Sequence, residues 1–236
     1  MELTAFGYNN TQRLVAGYFI LMRNVVKAMV FVSMASASNS ALAANGYFSD
    51  VTGQVSVVVG KNAPRIVEKN ATIASGAVVR TGDASHAELK FEDGQVVSMR
   101  ANTTFQIREY RYVSKRAGSE KNSIVFSMLK GGMRFVTGQI GQRNPQAFRL
   151  ITPHATIRVR GTDFMCAIAN SVTYCKVLSG SISITNAAGT IIINAGQTAM
   201  LTSASTLATV ITDASVPAGV FDHIATISLP APVSTP

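Results

Sequence analysis

The sequence of 236 residues contains no tryptophan, only two cysteines and three histidines, and only 14% of its residues are charged. The histidines, His86, His154 and His223, lie far apart in the chain, with none of the spacings that metal sites use. Among the acidic residues, Glu92 and Asp93 are adjacent but belong to a predicted turn. Motifs for a nucleophilic serine, a P-loop, a dinucleotide or an EF-hand are also missing. Nothing here supports an enzyme, and we expect neither a cofactor nor a metal.

The composition instead favours β-structure. Val, Ile, Thr, Ala, Ser and Gly dominate, which is typical of strands joined by small-residue turns. Hydrophobic residues make up 47% of the chain, enough to bury a sizeable core. The net charge is +9, from 21 basic and 12 acidic residues. Such a charge suits anionic partners.

The N-terminal part resembles an export signal. Arg23 and Lys27 form a short basic region, and residues 28–37 form an apolar run of the length that signal peptides use. The following Ala41-Leu42-Ala43 fits the cleavage pattern of small residues. A membrane anchor is the alternative, but a span needs about 20 apolar residues and the two basic residues interrupt the run. We therefore predict a signal peptide over residues 1–44.

This prediction sets the expected location. Cleavage near Ala43/Ala44 would release a periplasmic or secreted protein, and Met22 is an alternative start of translation. Removing residues 1–44 takes away three basic residues and one acidic residue, which leaves a net charge of +7.

The two cysteines are predicted to form a disulfide. The segment from Cys166 to Cys175 has β-forming arms around a central Asn170-Ser171. A two-residue turn there places the cysteines opposite each other as a non-hydrogen-bonded pair, with Cα atoms about 4.5 Å apart. An oxidising compartment would preserve such a bond. A redox or metal pair is disfavoured, because CxxC spacing is absent and no histidine lies between them.

Short strands are predicted from Val51 to Thr202. Residues 87–91 alternate, with Ala87, Leu89 and Phe91 on one face, and Asp93-Gly94 is a strong hairpin turn. The remaining predicted strands cover residues 54–59, 77–80, 95–99, 124–129, 133–136, 148–152, 156–159, 164–168, 173–178, 181–185, 190–193 and 198–202. Recurring strand–glycine–strand units favour a solenoid-like or roll-like all-β body, with a β-sandwich as the alternative. We place this domain at 45–205 and a partly disordered C-terminal extension at 206–236.

Two clusters are candidates for binding. The polar segment that contains Arg108, Arg111, Lys115 and Arg116 is a possible anion-contacting loop, or simply a solvated hairpin. The cluster Arg160-Gly161-Thr162-Asp163 lies inside a run of β-formers, where a glycine marks a bulge or tight corner. Thr162 and Asp163 can satisfy local main-chain donors, so the cluster is a hydrogen-bonded corner or an exposed ligand contact.

The ordered series of such elements resembles the FecR domain family, named for a ferric-citrate signalling regulator. The matching elements, over residues 51–202, are Val79–Asp83, Ala87–Phe91 with Asp93 and Gly94, Leu129–Arg134, Ile151–Ala155, Val159–Phe164, Val177–Ile182 and Ala195–Gln197.

The resemblance implies an extracytoplasmic, solenoid-like domain for protein–protein contact. We therefore expect a non-enzymatic binding or scaffold module whose partner is another extracytoplasmic or outer-membrane protein. One alternative is a periplasmic component that regulates a sigma factor in response to iron uptake, although only about 21 residues precede the predicted signal. Another is binding to an anionic cell-wall polymer or polysaccharide. Nucleic acid is not an expected partner.

Overall fold

A computed structural model describes residues 44–113 and 121–224. The predicted signal peptide up to residue 43, the loop residues Lys115 and Arg116, and residues 225–236 lie outside the described part. No helix in the described ranges is both long enough and apolar enough to cross a membrane.

Strands make up most of this part of the chain. One short helix, α1 (Gln139–Arg143), interrupts them, together with single 3₁₀ turns at Pro145–Ala147 and Asp213–Ser215. The fifteen strands found in the described ranges are β1 (Gly46–Thr52), β2 (Val55–Val59), β3 (Arg65–Ile66), β4 (Thr72–Ile73), β5 (Ala77–Thr81), β6 (His86–Phe91), β7 (Val96–Met99), β8 (Thr104–Arg111), β9 (Ser123–Val136), β10 (Phe148–Ile151), β11 (Thr156–Ala169), β12 (Val172–Asn186), β13 (Gly189–Asn194), β14 (Thr198–Leu201) and β15 (Thr209–Ile211).

The strands form one open, hydrogen-bonded sheet that divides into two half-sheets. Half-sheet I has the order β3-β2-β5-β8-β9-β10-β11-β12-β13, using the first parts of β9 and β11 and the last part of β12. Half-sheet II has the order β4-β1-β6-β7-β9-β11-β12-β14-β15, using the other parts of the same three strands. Strands β9, β11 and β12 therefore belong to both halves.

Each shared strand passes from one half-sheet to the other at a glycine. Gly131, Gly161 and Gly180 have φ angles of +91°, +59° and +75°. The β11–β12 register shifts on both sides of Asp163, which marks a bulge at this corner.

The hydrophobic core lies between the half-sheets. Phe126 in half-sheet I contacts Phe91 in half-sheet II, with ring centroids 5.2 Å apart. Phe105 and Phe135 also face each other across the two halves, at 6.4 Å. Alternating residues of the strands fill the space around these rings, as in the buried positions of β10 and β11.

The structure confirms the predicted all-β, roll-like domain of many short strands. One aspect of the prediction was wrong: the strand pairs at 124–136, 156–168 and 173–185 are three continuous strands rather than six. Each glycine bends its strand but does not end it, because the strand is hydrogen-bonded to neighbouring strands on both sides of the corner. Strands β1, β3, β4 and β8 were not predicted, and neither was β15, which lies in the segment expected to be a C-terminal extension.

Candidate functional site

The disulfide prediction is confirmed in both pairing and register. Cys166 and Cys175 are bonded, fully buried and opposite each other on β11 and β12, with Cα atoms 4.2 Å apart. The turn residues Asn170 and Ser171 have φ angles of +49° and +61°, which two-residue hairpin turns require. The bond therefore fixes a hairpin in half-sheet II and is structural, because no part of it is exposed.

The Arg160-Gly161-Thr162-Asp163 cluster lies at the β11 corner. Thr162 is buried, donates its hydroxyl to the carbonyl of Ser181 at 2.8 Å and accepts from the amide of Arg160 at 3.0 Å. Its own amide donates to the hydroxyl of Thr137 at 3.1 Å, and that hydroxyl donates to the carbonyl of Thr162 at 2.7 Å. These bonds satisfy the main chain where the strand bends.

The charged members of this cluster have different surroundings. Asp163 accepts two hydrogen bonds from Arg134, at 2.9 and 2.6 Å, and both side chains are largely buried. This paired geometry raises the pKa of Arg134 through the hydrogen bond to Asp163. Arg160 is exposed, and its side chain makes no hydrogen bond or ion pair within the described part of the chain. Arg160 is thus available for an external contact, whereas Asp163 is not.

Asp93 forms a second buried cluster. Its carboxylate accepts from the amides of Gln95 at 3.1 Å and Ile140 at 3.2 Å, and from the hydroxyl of Tyr110 at 2.9 Å. The turn containing Asp93 and Gly94 connects β6 to β7, and the bond to Ile140 anchors the start of α1. Burial raises the pKa of Asp93, and burial together with the Asp93 charge raises the pKa of Tyr110.

A pH-dependent stability follows from Asp93. Because its pKa is raised above the ordinary 3.8, the folded protein retains this proton at pH values where the unfolded chain has lost it. The stability that protonated Asp93 contributes is therefore complete below the pKa that Asp93 has in the unfolded chain. It is lost as the pH rises through the higher pKa that Asp93 has in the folded protein. Urea unfolding across the acidic range should show this loss in the wild type and not in Asp93→Asn. Parallel pH profiles for the two proteins would contradict the assignment.

The outer side of half-sheet I carries an unexpected group of arginines, which we call the arginine face: Arg111, Arg149, Arg158 and Arg160. Continuing the β10–β11 register places Arg149 directly opposite Arg158. Arg111 lies across β9 from them and has an ion pair with Glu109 at 4.0 Å. Val125 lies between Arg149 and Glu109 and also points outward, yet it is only 7% exposed. Such low exposure is expected if the long side chains of these two neighbours lie over it.

The predicted anion-contacting loop is placed only in part. Arg108 and Arg111 are exposed on β8, and Arg108 lies at a bulge where the register with β9 shifts. Tyr110, which lies between them in sequence, stacks on Phe91 in the core. An aromatic platform for bases is therefore not available at this position.

A cleft of about 880 Å³ lies near the Gly131 corner. Its polar lining includes Arg100, Lys130, His86 and Asp222. Arg100 donates to the carbonyl of Gly219 at 2.7 Å and so ties the C-terminal segment to the cleft wall. The one hydroxyl among the lining residues, that of Ser85, donates to the carbonyl of Asp83 at 2.8 Å and accepts from the amide of Gln54 at 2.9 Å.

The cleft, the partner of Asp163 and the arginine face were not predicted from the sequence. The arginine face left a signal, because Phe148-Arg149-Leu150 and Ile157-Arg158-Val159-Arg160 alternate apolar and basic residues within predicted strands. His154 bonds to buried Thr173 at 2.7 Å, as a turn residue would. Within the described ranges, no three His, Cys, Asp or Glu side chains are grouped to hold a metal.

The resemblance to the FecR family is confirmed by a match to the family described as “FecR protein”, over residues 77–183. This region includes the Asp93 turn, the arginine face and the disulfide hairpin. No curated protein matches the chain.

Two solved structures of a “putative anti-sigma factor” from Parabacteroides distasonis, at 1.65 and 2.50 Å resolution, are similar to this chain. Each is 14% identical to it, with TM-scores of 0.44 and 0.45. The alignment covers 57% of this chain and 59% of each solved chain.

Proposed function

We propose that this protein is a non-enzymatic binding module of the FecR type that works outside the cytoplasm and contacts another protein. In this proposal the contact belongs to a signalling pathway that regulates a sigma factor. The FecR match over residues 77–183 supports the regulatory part. The extracytoplasmic part rests on the predicted signal peptide and on the buried disulfide, a bond that persists in oxidising compartments.

The observation that carries the binding role is the arginine face. Arg149 and Arg158 lie opposite each other on neighbouring strands, and like charges in such positions destabilise a sheet. Arg158 is half-buried and donates to the carbonyl of Gln146 at 2.8 Å, whereas Arg149 is exposed. Arg160 adds a second exposed guanidinium two residues along the same face from Arg158. Surfaces that serve a function often retain residues that lower the stability of the fold in this way. Guanidinium groups form paired hydrogen bonds with carboxylates, so this surface suits an acidic partner.

Photo-crosslinking in the native host would test this proposal. We would place a photoreactive phenylalanine analogue at position 149, and at Tyr47, an exposed strand residue of half-sheet II, as the control. A specific envelope protein crosslinked from position 149 and not from position 47 would support the proposal.

Sequencing the N-terminus of the mature protein would test export, with cleavage near Ala43 expected. An intact N-terminus in a cytoplasmic fraction would contradict the extracytoplasmic role.

Neutralising the arginine face should separate binding from stability. We expect Arg149→Gln with Arg158→Gln to change the free energy of unfolding by no more than about 0.5 kcal/mol, because removing the like-charge pair is offset by losing the bond from Arg158 to the carbonyl of Gln146. The same variant should lose most of the crosslinked product when the photoreactive group is placed at position 160. Urea unfolding and crosslinking yield are the two measurements.

A charge-matched variant, Lys61→Gln with Lys69→Gln, removes two exposed basic residues from the loops on either side of β3. It should bind as the wild type does. Equal loss of crosslinking in both variants would show that net charge alone, and not this surface, attracts the partner.

A second candidate is binding to an anionic envelope polymer, which the same arginines favour. Co-sedimentation with peptidoglycan, or retention on immobilised lipopolysaccharide, should then occur at low salt and weaken as salt screens the charges. The Arg149→Gln and Arg158→Gln variant should bind less. Binding that is insensitive to both salt and the variant would exclude this candidate.

A further inference from the structure

The edges of the sheet differ greatly in length. Strands β3 and β4 have two residues each and β15 has three, whereas β13 has six. Among the described residues β13 pairs only with β12, so its other side is a free edge. Its sequence, Gly-Thr-Ile-Ile-Ile-Asn, has no charge and no proline, the devices that usually block an edge.

The register shows which main-chain groups face outward. Ala195 donates its amide to the carbonyl of Gly180 at 3.1 Å, and hydrogen-bonded pairs alternate along an antiparallel ladder. Ile191 and Ile193 therefore bond to β12, and the amides and carbonyls of Thr190 and Ile192 point to the free edge.

The free edge ends at Asn194. Its amide donates to the side-chain oxygen of Gln197 at 2.8 Å, and its carbonyl accepts the Gln197 amide at 3.0 Å. Thr190 and Ile192 are left with four main-chain groups that no described residue bonds. Ile192 is also 63% exposed, on the side of half-sheet I that carries the arginine face.

We propose that this edge pairs with the same edge of a second copy, in antiparallel orientation. Thr190 would lie opposite Ile192 of the partner subunit, and Ile191 would lie on the two-fold axis. Two reciprocal pairs then form four hydrogen bonds, which use all four free groups and displace no existing bond. A second copy fits because the free edge is self-complementary in this register and uncharged.

The pairing would join two half-sheets into one continuous sheet, with both arginine faces on the same side. The two Arg158 side chains would be about 24 Å apart, from five strand spacings of about 4.8 Å. This exceeds the Debye length of about 8 Å at physiological salt, so repulsion between them is screened. The interface is smaller than a standard one, and the dimer therefore depends on protein concentration.

Disulfide trapping tests the register. Opposed residues in a hydrogen-bonded pair have Cα atoms about 5.5 Å apart, within the range for a disulfide. A mixture of Thr190→Cys and Ile192→Cys chains should form covalent dimers on mild oxidation, and either variant alone should not. No dimer from the mixture, or equal dimer from Ile192→Cys alone, would overturn the proposed pairing.

Sedimentation of the purified exported protein provides an independent measurement. The wild type should shift towards twice the monomer mass as concentration rises, and Ile192→Lys should remain a monomer. Ile66→Lys is a matched control, because Ile66 is 67% exposed on the β3 edge, and it should dimerise as the wild type does. A wild type that stays monomeric, or an Ile192→Lys variant that still dimerises, would overturn the proposal. Neither assay depends on the proposed function.

Discussion

Gly180→Ala should lower the free energy of unfolding by about 4 kcal/mol. A Cβ at this position would overlap the carbonyl oxygen of Gly161 and come within 3.0 Å of the carbonyl oxygen of Arg160. Both obstacles are main-chain atoms at the β11 corner, so they cannot move without breaking the bend. The φ angle of +75° adds strain for any residue with a side chain. Equilibrium urea unfolding measures the change.

Gly161→Ala is the matched control on the facing strand. Its φ angle is also positive, at +59°, but a Cβ there meets no atom within 4 Å. This variant should lose only about 1 kcal/mol, the cost of the left-handed conformation alone. Equal losses for the two variants would show that backbone conformation, and not close approach of β11 and β12, determines the requirement for glycine.

Removing the disulfide is the second change with a large expected effect. The double variant Cys166→Ala with Cys175→Ala should lose about 3 kcal/mol, from the closed loop of ten residues and the two buried sulfur atoms. The hairpin should keep its register, because the Asn170-Ser171 turn and the strand pairing remain. Urea unfolding of the oxidised wild type and the variant would measure the loss. A difference below about 1 kcal/mol would contradict the estimate.

The local parts of this fold could be predicted from the sequence. The disulfide hairpin followed from a turn pair and two β-forming arms, because pairing across a two-residue turn is fixed by counting outward. The Asp93-Gly94 hairpin followed in the same way. Alternation of apolar and polar residues identified β6, and runs of β-formers identified β13.

The long-range parts could not be predicted in this way. In the sequence, a glycine that turns the chain back and a glycine that bends a continuous strand give the same pattern. At Gly131 and Gly180 the neighbouring strands determine that the strand continues. The pairing of Arg134 with Asp163 joins residues far apart in sequence, through the β9–β11 register. The arginine face required the adjacency of β8, β9, β10 and β11, which no single segment of the sequence contains.

The three strands that run through both half-sheets have a mechanical consequence. A force applied to half-sheet I reaches half-sheet II through the covalent backbone of β9, β11 and β12, and not only through side-chain packing. Separating the halves would also expose the aromatic side chains that are packed between them. A load on the arginine face would therefore be shared by three continuous strands, two of which the disulfide links in half-sheet II.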